Sequence, residues 1–498
     1  MKKIDMNLVP DTVNMSPDYY CTWQTQLYAT CDGKPAKQRE IVSEKGLFGK
    51  EKPYGWADFY EQSRRDLFIV ADDGWDVPMD GDSAYYGSLL LNKEKFPEAT
   101  KGEKTNAEAL KNITERIKEL GWKGFGLWVC AQESEKKFSK NITSEEYWKK
   151  AIQEAHEAGI SYWKVDWGEK INDVNFRRML TETGKKFAPK LIIEHAKVNE
   201  IIPNGDVFRT YDVPAIMSIP MTMKKLHEIL ADRQIAETAM GLINCEDEAY
   251  VAAAGGFTMG IMRHPYRGAF IDGREDMSFP TVHRNLKTKM YEVVRAVRWH
   301  RLAPAFGVDG NVNIDENVLT DYWEFENKDV EIESWWLELD LPDFTPYVKN
   351  DVVTIPATKQ IARRCKMAEV IPDKNGNVPY IVTSKNPNGA FSVLTLGRTL
   401  GRVYEIPECN VTINAEDADI IGVFGEYEKL IIKTGLKNIK AVFMQDLADE
   451  TAYDITDETI FENEKIIIPG QLIHRIGTMA QPEGDTSEPG VVVKFITD

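Results

Sequence analysis

Between about residue 60 and residue 300, short apolar runs alternate with longer stretches of helical periodicity, and this alternation constrains the chain more than any other feature. The apolar runs are "DLFIVADDG" (66–74), "GFGLWVCAQ" (124–132), "SYWKVDWG" (161–168), "KLIIEHA" (190–196), "DVFRTYDV" (206–213), "MGLINCEDE" (240–248) and "GFTMGIMRHP" (256–265). Between them lie helix-like stretches such as "NAEALKNITERIKEL" (106–120) and "TSEEYWKKAIQEAHEAG" (143–159). The second opens on Thr143 as N-cap, has Glu146 at the capping-box position and closes on Gly159. Strand and helix in strict alternation are the signature of βα units on a parallel sheet. Seven such strands, with an eighth in the N-terminal segment or near residue 300, predict an α/β fold of the (β/α)8 TIM barrel type; a doubly wound open sheet is the alternative.

Beyond the helical stretch 285–306 the pattern changes to short alternating runs separated by Gly, Pro, Asn and Asp, such as "AFSVLTLG", "LIIKTG" and "GVVVKFI". This predicts a C-terminal antiparallel β-sandwich domain, so the barrel is placed at 1–306 and the sandwich at 307–498. A chain of 498 residues with 43% hydrophobic content has ample core for both. Its net charge of -18 repels phosphate backbones and anionic lipid headgroups, which argues against nucleic acid or membrane as partner. Six scattered cysteines with no CxxC pair fit a reducing compartment. The start, "MKKIDMNLVPDTVNM", has no apolar stretch behind its lysines, and no run of about 20 apolar residues occurs. The expectation is a soluble, cytoplasmic protein, with homo-oligomers allowed.

The polar residues of the strand runs cluster at their C-terminal ends: Asp72 and Asp73, Gln132, Lys164 and Asp166, Glu194 and His195, Arg209 and Asp212, Glu246 and Asp247, Arg263 and His264. In a barrel these ends form one rim, where active sites lie. Lys164 and Asp166 share strand parity, so their side chains leave the same face while Trp163 and Val165 pack behind. Such a rim suits sugar chemistry: two carboxyl groups flank the glycosidic bond, charged neighbours bind hydroxyls, and indoles such as Trp75, Trp128 and Trp167 offer a flat apolar face. Asp166 is placed for the nucleophile, with Lys164 favouring its charged form, and Asp212 for the acid. A metal-dependent barrel hydrolase is the alternative, with Asp72, Asp73, Glu194, His195 and His264 as ligands, but there is no HxH or HExxH and the histidines are dispersed.

"ADDGW" on the first run, "YWKVD" on the third and "FRTYDV" on the fifth resemble the motifs of the retaining α-galactosidases, glycoside hydrolase families 27 and 36, whose clan extends to family 31. The resemblance implies sugar binding by Asp72, Asp73, Trp75, Lys164 and Arg209, with Asp166 as nucleophile and Asp212 as acid/base. "INCEDEA" is similar to the family's Trp-Asn-Asp-Pro-Asp stretch and matches at Asn244 and Asp247. The family's cysteine-containing loop after the nucleophile is replaced here by "WGEKINDVNFRRML".

Each feature also has a plainer account. Asp-Asp-Gly is ordinary turn composition, Lys164 with Asp166 is also an ion pair at a strand end, and Arg209 with Asp212 is another. His195 and His264 read as packing residues, and "ESWWLEL" (333–339) as β-domain core. Taken together, the motifs predict a retaining exo-α-glycosidase, galactosidase-like by resemblance, acting on an oligosaccharide or glycoside without metal or organic cofactor. A sugar-binding protein that has lost catalysis keeps the same residues.

Overall fold

The computed structural model describes the chain except for residues 31–34, 80, 103, 139–140, 197–199, 202–204, 210–217, 232–240, 245–247, 263–264, 267–287, 308–310, 325–346 and 350–351. Eight parallel strands form one sheet: β1 (Tyr19–Cys21), β2 (Phe68–Ala71), β3 (Gly124–Val129), β4 (Tyr162–Val165), β5 (Ile192–Ala196), β6 (Val207–Arg209), β7 (Gly241–Asn244) and β8 (Gly260–Ile261). Each pairs with its neighbour in chain order up to β7, and β8 pairs back onto β1 through Tyr19 with Gly260 and Tyr20 with Ile261. No ladder joins β7 to β8 among the described residues, but a last strand lying on the first, with all others in chain order, is the order of a (β/α)8 barrel and not that of a doubly wound sheet. The eighth strand is therefore β1, in the N-terminal segment. Three residues, "YYC", are too few to show a period in the sequence.

Parity sorts the strand residues into two layers. Tyr19, Cys21, Phe68, Val70, Tyr162, Ile192, Val207 and Met262 form one cluster inside the barrel. Their alternates Tyr20, Ile69, Leu127, Trp163, Val165, Ile193 and Phe208 join the core between strands and helices. On β3 the inward positions are Gly124, Gly126 and Trp128, and the glycines make room for aromatic neighbours. A Cβ on Gly126 would stand 2.8 Å from the Tyr162 Cβ and 2.9 Å from Val70 Cγ2. Gly126→Val is therefore expected to cost about 1–3 kcal/mol by overpacking, seen as a lower urea midpoint with unchanged slope.

The helices Asn106–Glu119 and Ser144–Glu157 follow β2 and β3, and both open on complete capping boxes, Thr105 with Glu108 and Thr143 with Glu146. The second ends at Gly159, whose φ of +70° stops the helix without Cβ strain. No helix among the described residues is long and apolar enough to cross a membrane.

The C-terminal region is a sandwich of a nine-stranded and a five-stranded sheet, mostly antiparallel, with a further five-stranded sheet beside helix Ser218–Ala231. Parallel ladders interrupt the rule where Gln360–Arg363 meets Tyr380–Lys385 and Phe391–Leu396 meets Ile420–Phe424. Ile381, Val393, Ile421, Val442 and Val493 of the large sheet face Val411, Ile413, Leu430, Ile432 and Ile466 of the smaller. The opposite face, with Tyr380, Val382, Leu394, Phe424 and Val492, joins the barrel's core near Trp299. All six residues of Phe391–Leu396 are buried, because both faces of this strand are covered. Lys2–Ile4 adds to this same sheet by pairing with Ala452–Asp454. The barrel and sandwich are also joined by Arg295, on helix Met290–Leu302, which grips buried Asp446 through two N–H bonds of 2.8 and 3.1 Å.

Candidate active site

The inward parity of the strands carries one set of side chains up to the C-terminal rim, and there the barrel's lining changes from apolar to charged. Lys164, two residues above Tyr162 on β4, reaches Asp72 at the end of β2, with Nζ 2.9 Å from Oδ2. The same oxygen accepts the Cys21 thiol of β1 at 2.8 Å, and the Asp72 amide donates to Thr22 Oγ1 at 2.9 Å. All three side chains are buried. Burial opposes the Lys164 charge, but Asp72 and Cys21 outweigh it and hold the ammonium well above the ordinary lysine pKa.

Asp166 follows β4 by one residue and is the more open carboxylate, with 13% of its side chain exposed. Its Oδ1 accepts from Arg209 Nη2 at 2.7 Å, and its Oδ2 from the Trp128 indole at 3.3 Å. Arg209 also approaches Glu194 on β5, with Nε 3.7 Å from Oε1. Glu194 is fully buried, and burial raises its pKa despite Arg209 and Lys164 and the hydroxyls of Tyr162 and Tyr19 that bond to it. The structure thus joins five of the expected residues, Asp72, Lys164, Asp166, Arg209 and Trp128, in one cluster drawn from four strands and the loop ends that follow them.

Asp73 takes a different partner. Arg39, from the helix Pro35–Ile41, lies along it with Nε 3.0 and 2.9 Å from the two carboxylate oxygens and Nη2 2.8 Å from Oδ2. Burial raises the Asp73 pKa to about 6, against the pull of Arg39. The guanidinium sits 5.1 Å from the Tyr86 ring and 5.6 Å from that of Trp167, within cation–π range. Trp167 in turn meets Trp128 at 5.3 Å, so an aromatic wall runs from Arg39 to the indole that touches Asp166. Trp75 lies beneath this wall. It is 0% exposed and donates its indole N–H to the Trp128 carbonyl at 2.8 Å, so it supports Trp128 and offers no face of its own.

Asp212 and Asp247, like Glu246, Arg263 and His264, lie outside the described residues. His195 points away from the cluster, between Arg177 Nη1 at 3.4 Å and Thr181 Oγ1 at 2.8 Å; burial and Arg177 push its pKa well below the usual value. Sequence reasoning missed Arg39, Cys21 and Arg177. The first two sit in an N-terminal stretch without periodicity, and Arg177 lies in "WGEKINDVNFRRML", where nothing local marks an arginine that turns back onto the carbonyls of residues 165, 166 and 171.

One further carboxyl belongs to the wall. Asp76 is buried, its Oδ2 accepts the Leu89 amide at 3.2 Å, and its Oδ1 has no partner among the described residues. Burial pushes its pKa up to about 7 from an unfolded value of 3.8. The folded state therefore holds this proton more tightly, so the group's contribution to stability is full below pH ~4 and is lost as pH rises to ~7. Asp76→Asn is expected to flatten that decline, gaining on the order of 4 kcal/mol at most at pH 8 relative to the parent and little at pH 4. Urea titrations across that range measure it.

The fold and its ionic rim define the class, a (β/α)8 barrel with an appended β-sandwich and a carboxylate-bearing site at the C-terminal ends of its strands. Solved structures similar to the chain are glycoside hydrolases. They include α-galactosidase I from Mortierella vinacea (11% identity, 98% of each chain covered, TM-score 0.35) and an α-amylase from Anoxybacillus (10%, 98% of this chain and 99% of that one, 0.42). The α-galactosidase from Saccharomyces cerevisiae is another (8%, 97% and 95%, 0.34). No protein-family model matches the chain, and no curated protein matches it. The barrel assignment rests on the strand order described above.

Proposed function

We propose that the protein is a retaining exo-α-glycosidase, with terminal α-galactosides as its first substrate class. The observation that carries this reading is the setting of Asp166. It is a partly open carboxylate at a barrel strand end, aimed by Arg209 at 2.7 Å and Trp128 at 3.3 Å, beside the buried Asp72–Lys164 pair. Double displacement needs such a group: ionised, held in one orientation, and backed by cations that it does not have to attract from solvent.

In this reading Asp166 attacks the anomeric carbon while Asp212 protonates the leaving oxygen, giving a covalent glycosyl-enzyme. Water, deprotonated by Asp212, then releases the sugar with its configuration retained. Asp72 and Lys164 form the charged floor under the sugar, the Arg39–Asp73 pair borders it, and Trp128 and Trp167 give it an apolar wall. Asp247 completes the hydroxyl contacts. The barrel, residues 1–306, carries all these groups, the sandwich of 307–498 supports it, and the chemistry uses no cofactor. We place the protein in the cytoplasm. The metal-hydrolase reading is less favoured because the chain's own cations occupy its ligands: Lys164 holds Asp72, Arg39 holds Asp73, and His195 is turned toward Arg177 and Thr181.

The test is release of nitrophenol from α- and β-linked aryl galactosides, N-acetylgalactosaminides, glucosides and arabinosides, with Asp166→Ala as control. Turnover of one α-glycoside that vanishes in the variant supports the reading. Silence across the panel with measurable sugar binding would make the protein a lectin-like relative, and loss of activity with a chelator would restore the metal-dependent alternative.

A further inference from the structure

Arg177 lies at the start of helix Val174–Phe187, is 0% exposed, and forms no ion pair with a carboxylate among the described residues. Its hydrogen bonds converge on the segment that carries Asp166. Nη1 donates to the Val165 carbonyl at 3.0 Å, Nη2 to the Asp166 carbonyl at 2.8 Å, and Nε to the Ile171 carbonyl at 2.9 Å. Nη1 also lies 3.4 Å from His195 Nδ1. A guanidinium can only donate, so Nδ1 accepts and the imidazole carries its proton on Nε2, toward Thr181 Oγ1. The histidine is neutral and does not offset the arginine's charge.

Holding a loop by its carbonyls does not require a cation, because an amide side chain donates too. A buried guanidinium without a counter-ion costs desolvation, and burial lowers the Arg177 pKa to about 10 although Asp166 pulls the other way. The retained charge therefore points to its neighbour, the Asp166 carboxylate.

We propose that Arg177 is a positioning residue for the nucleophile, clamping residues 165–171 through three carbonyls and favouring the return of Asp166 to its anionic form. This inference rests on the glycosidase reading above. The charge acts unequally on the two half-reactions. In the first, Asp166 loses negative charge as its oxygen bonds to the anomeric carbon. In the second, that bond breaks, its electron pair returns to the carboxylate, the water oxygen bonds to the anomeric carbon and the water proton goes to Asp212. A fixed cation stabilises the second transition state relative to the ester. The clamp and the charge are separable. Lysine keeps the charge, but its ammonium cannot span three carbonyls as a planar fork does; glutamine keeps some hydrogen bonding without charge.

The experiment measures kcat, KM and the pre-steady-state burst with a nitrophenyl α-galactoside for wild type, Arg177→Gln and Arg177→Lys. A fluoro-substituted α-galactosyl fluoride serves as a trap, read by peptide mapping. The glutamine variant loses both clamp and charge, so kcat is expected to fall by about a hundredfold against about tenfold in kcat/KM, with a lower KM and a nitrophenol burst as the glycosyl-enzyme accumulates. The lysine variant is expected to lose kcat/KM by about tenfold without a burst, because the loop is loosened while the charge remains. If the glutamine variant does not fold, the lysine variant alone decides, and wild-type kinetics there overturn the proposal. So does a glutamine variant that loses kcat and kcat/KM equally without a burst, the mark of a merely structural residue. Failure of the trap to label Asp166 in the wild type would instead remove the glycosidase reading on which the inference stands.

Discussion

If the proposed reading holds, replacing Asp166 by alanine is expected to abolish hydrolysis of the α-glycoside that the wild type turns over, with kcat falling by about four orders of magnitude or more, while the fold is retained. The size follows from the proposed role, in which the glycosyl ester forms on this carboxylate. The fold survives because Asp166 is on the rim with 13% of its side chain exposed, and Arg209 keeps Glu194 at 3.7 Å when its 2.7 Å partner is gone. Two measurements together decide the matter. Residual activity within about a hundredfold of wild type would place the nucleophile elsewhere. Added azide is expected to restore turnover of an activated aryl α-glycoside in the variant and give the β-glycosyl azide, because the small anion enters from the face the carboxylate has vacated. An α-product would contradict a single displacement at that face.

The second large effect is on stability. Lys164→Met removes the ammonium 2.9 Å from Asp72 and leaves a carboxylate at the floor of the barrel mouth with the Cys21 thiol and nearby amides as its remaining hydrogen-bond donors. Removing one partner of a buried pair costs about 3–5 kcal/mol, because the other charge stays behind without compensation. Methionine nearly preserves the volume of the lysine stem, so the loss is electrostatic in origin. The check is a double-mutant cycle in urea with Asp72→Asn. If the penalty is that of an uncompensated charge, Lys164→Met with Asp72→Asn recovers most of it; additive losses would show that the two residues do not act as a pair. The same variant is expected to be inactive with aryl α-glycosides, since the floor of the proposed sugar site is lost.

Much of this site is written locally. A strand places alternate residues on opposite faces, so "YWKVD" by itself puts Tyr162, Lys164 and Asp166 on one side and Trp163 and Val165 on the other, as the barrel interior and the outer core show. The position of Asp72 at a strand end has the same origin. What the sequence obscures is which strand ends meet. Cys21 reaches Asp72 because β1 lies beside β2, and β1 was illegible because three residues carry no period. Trp75 illustrates the converse: its place in "DDGW" marks the site, yet its ring is turned under Trp128, an orientation set by packing.

The sequence by itself determined the alternation of strand and helix, the inward or outward direction of each strand residue, and the collection of charge at the strand ends. These follow from backbone geometry over a few residues, which neighbouring side chains do not alter. Tertiary structure alone decided the partners: Arg39 on Asp73, Cys21 and Lys164 on Asp72, Arg209 between Asp166 and Glu194, and Arg177 beneath the loop that carries Asp166. Those contacts join residues 11 to 92 positions apart. They exist because the strands lie side by side in one parallel sheet and bring their C-terminal ends to one rim, where the desolvation of each charge is met by a partner from another strand or from a helix behind it.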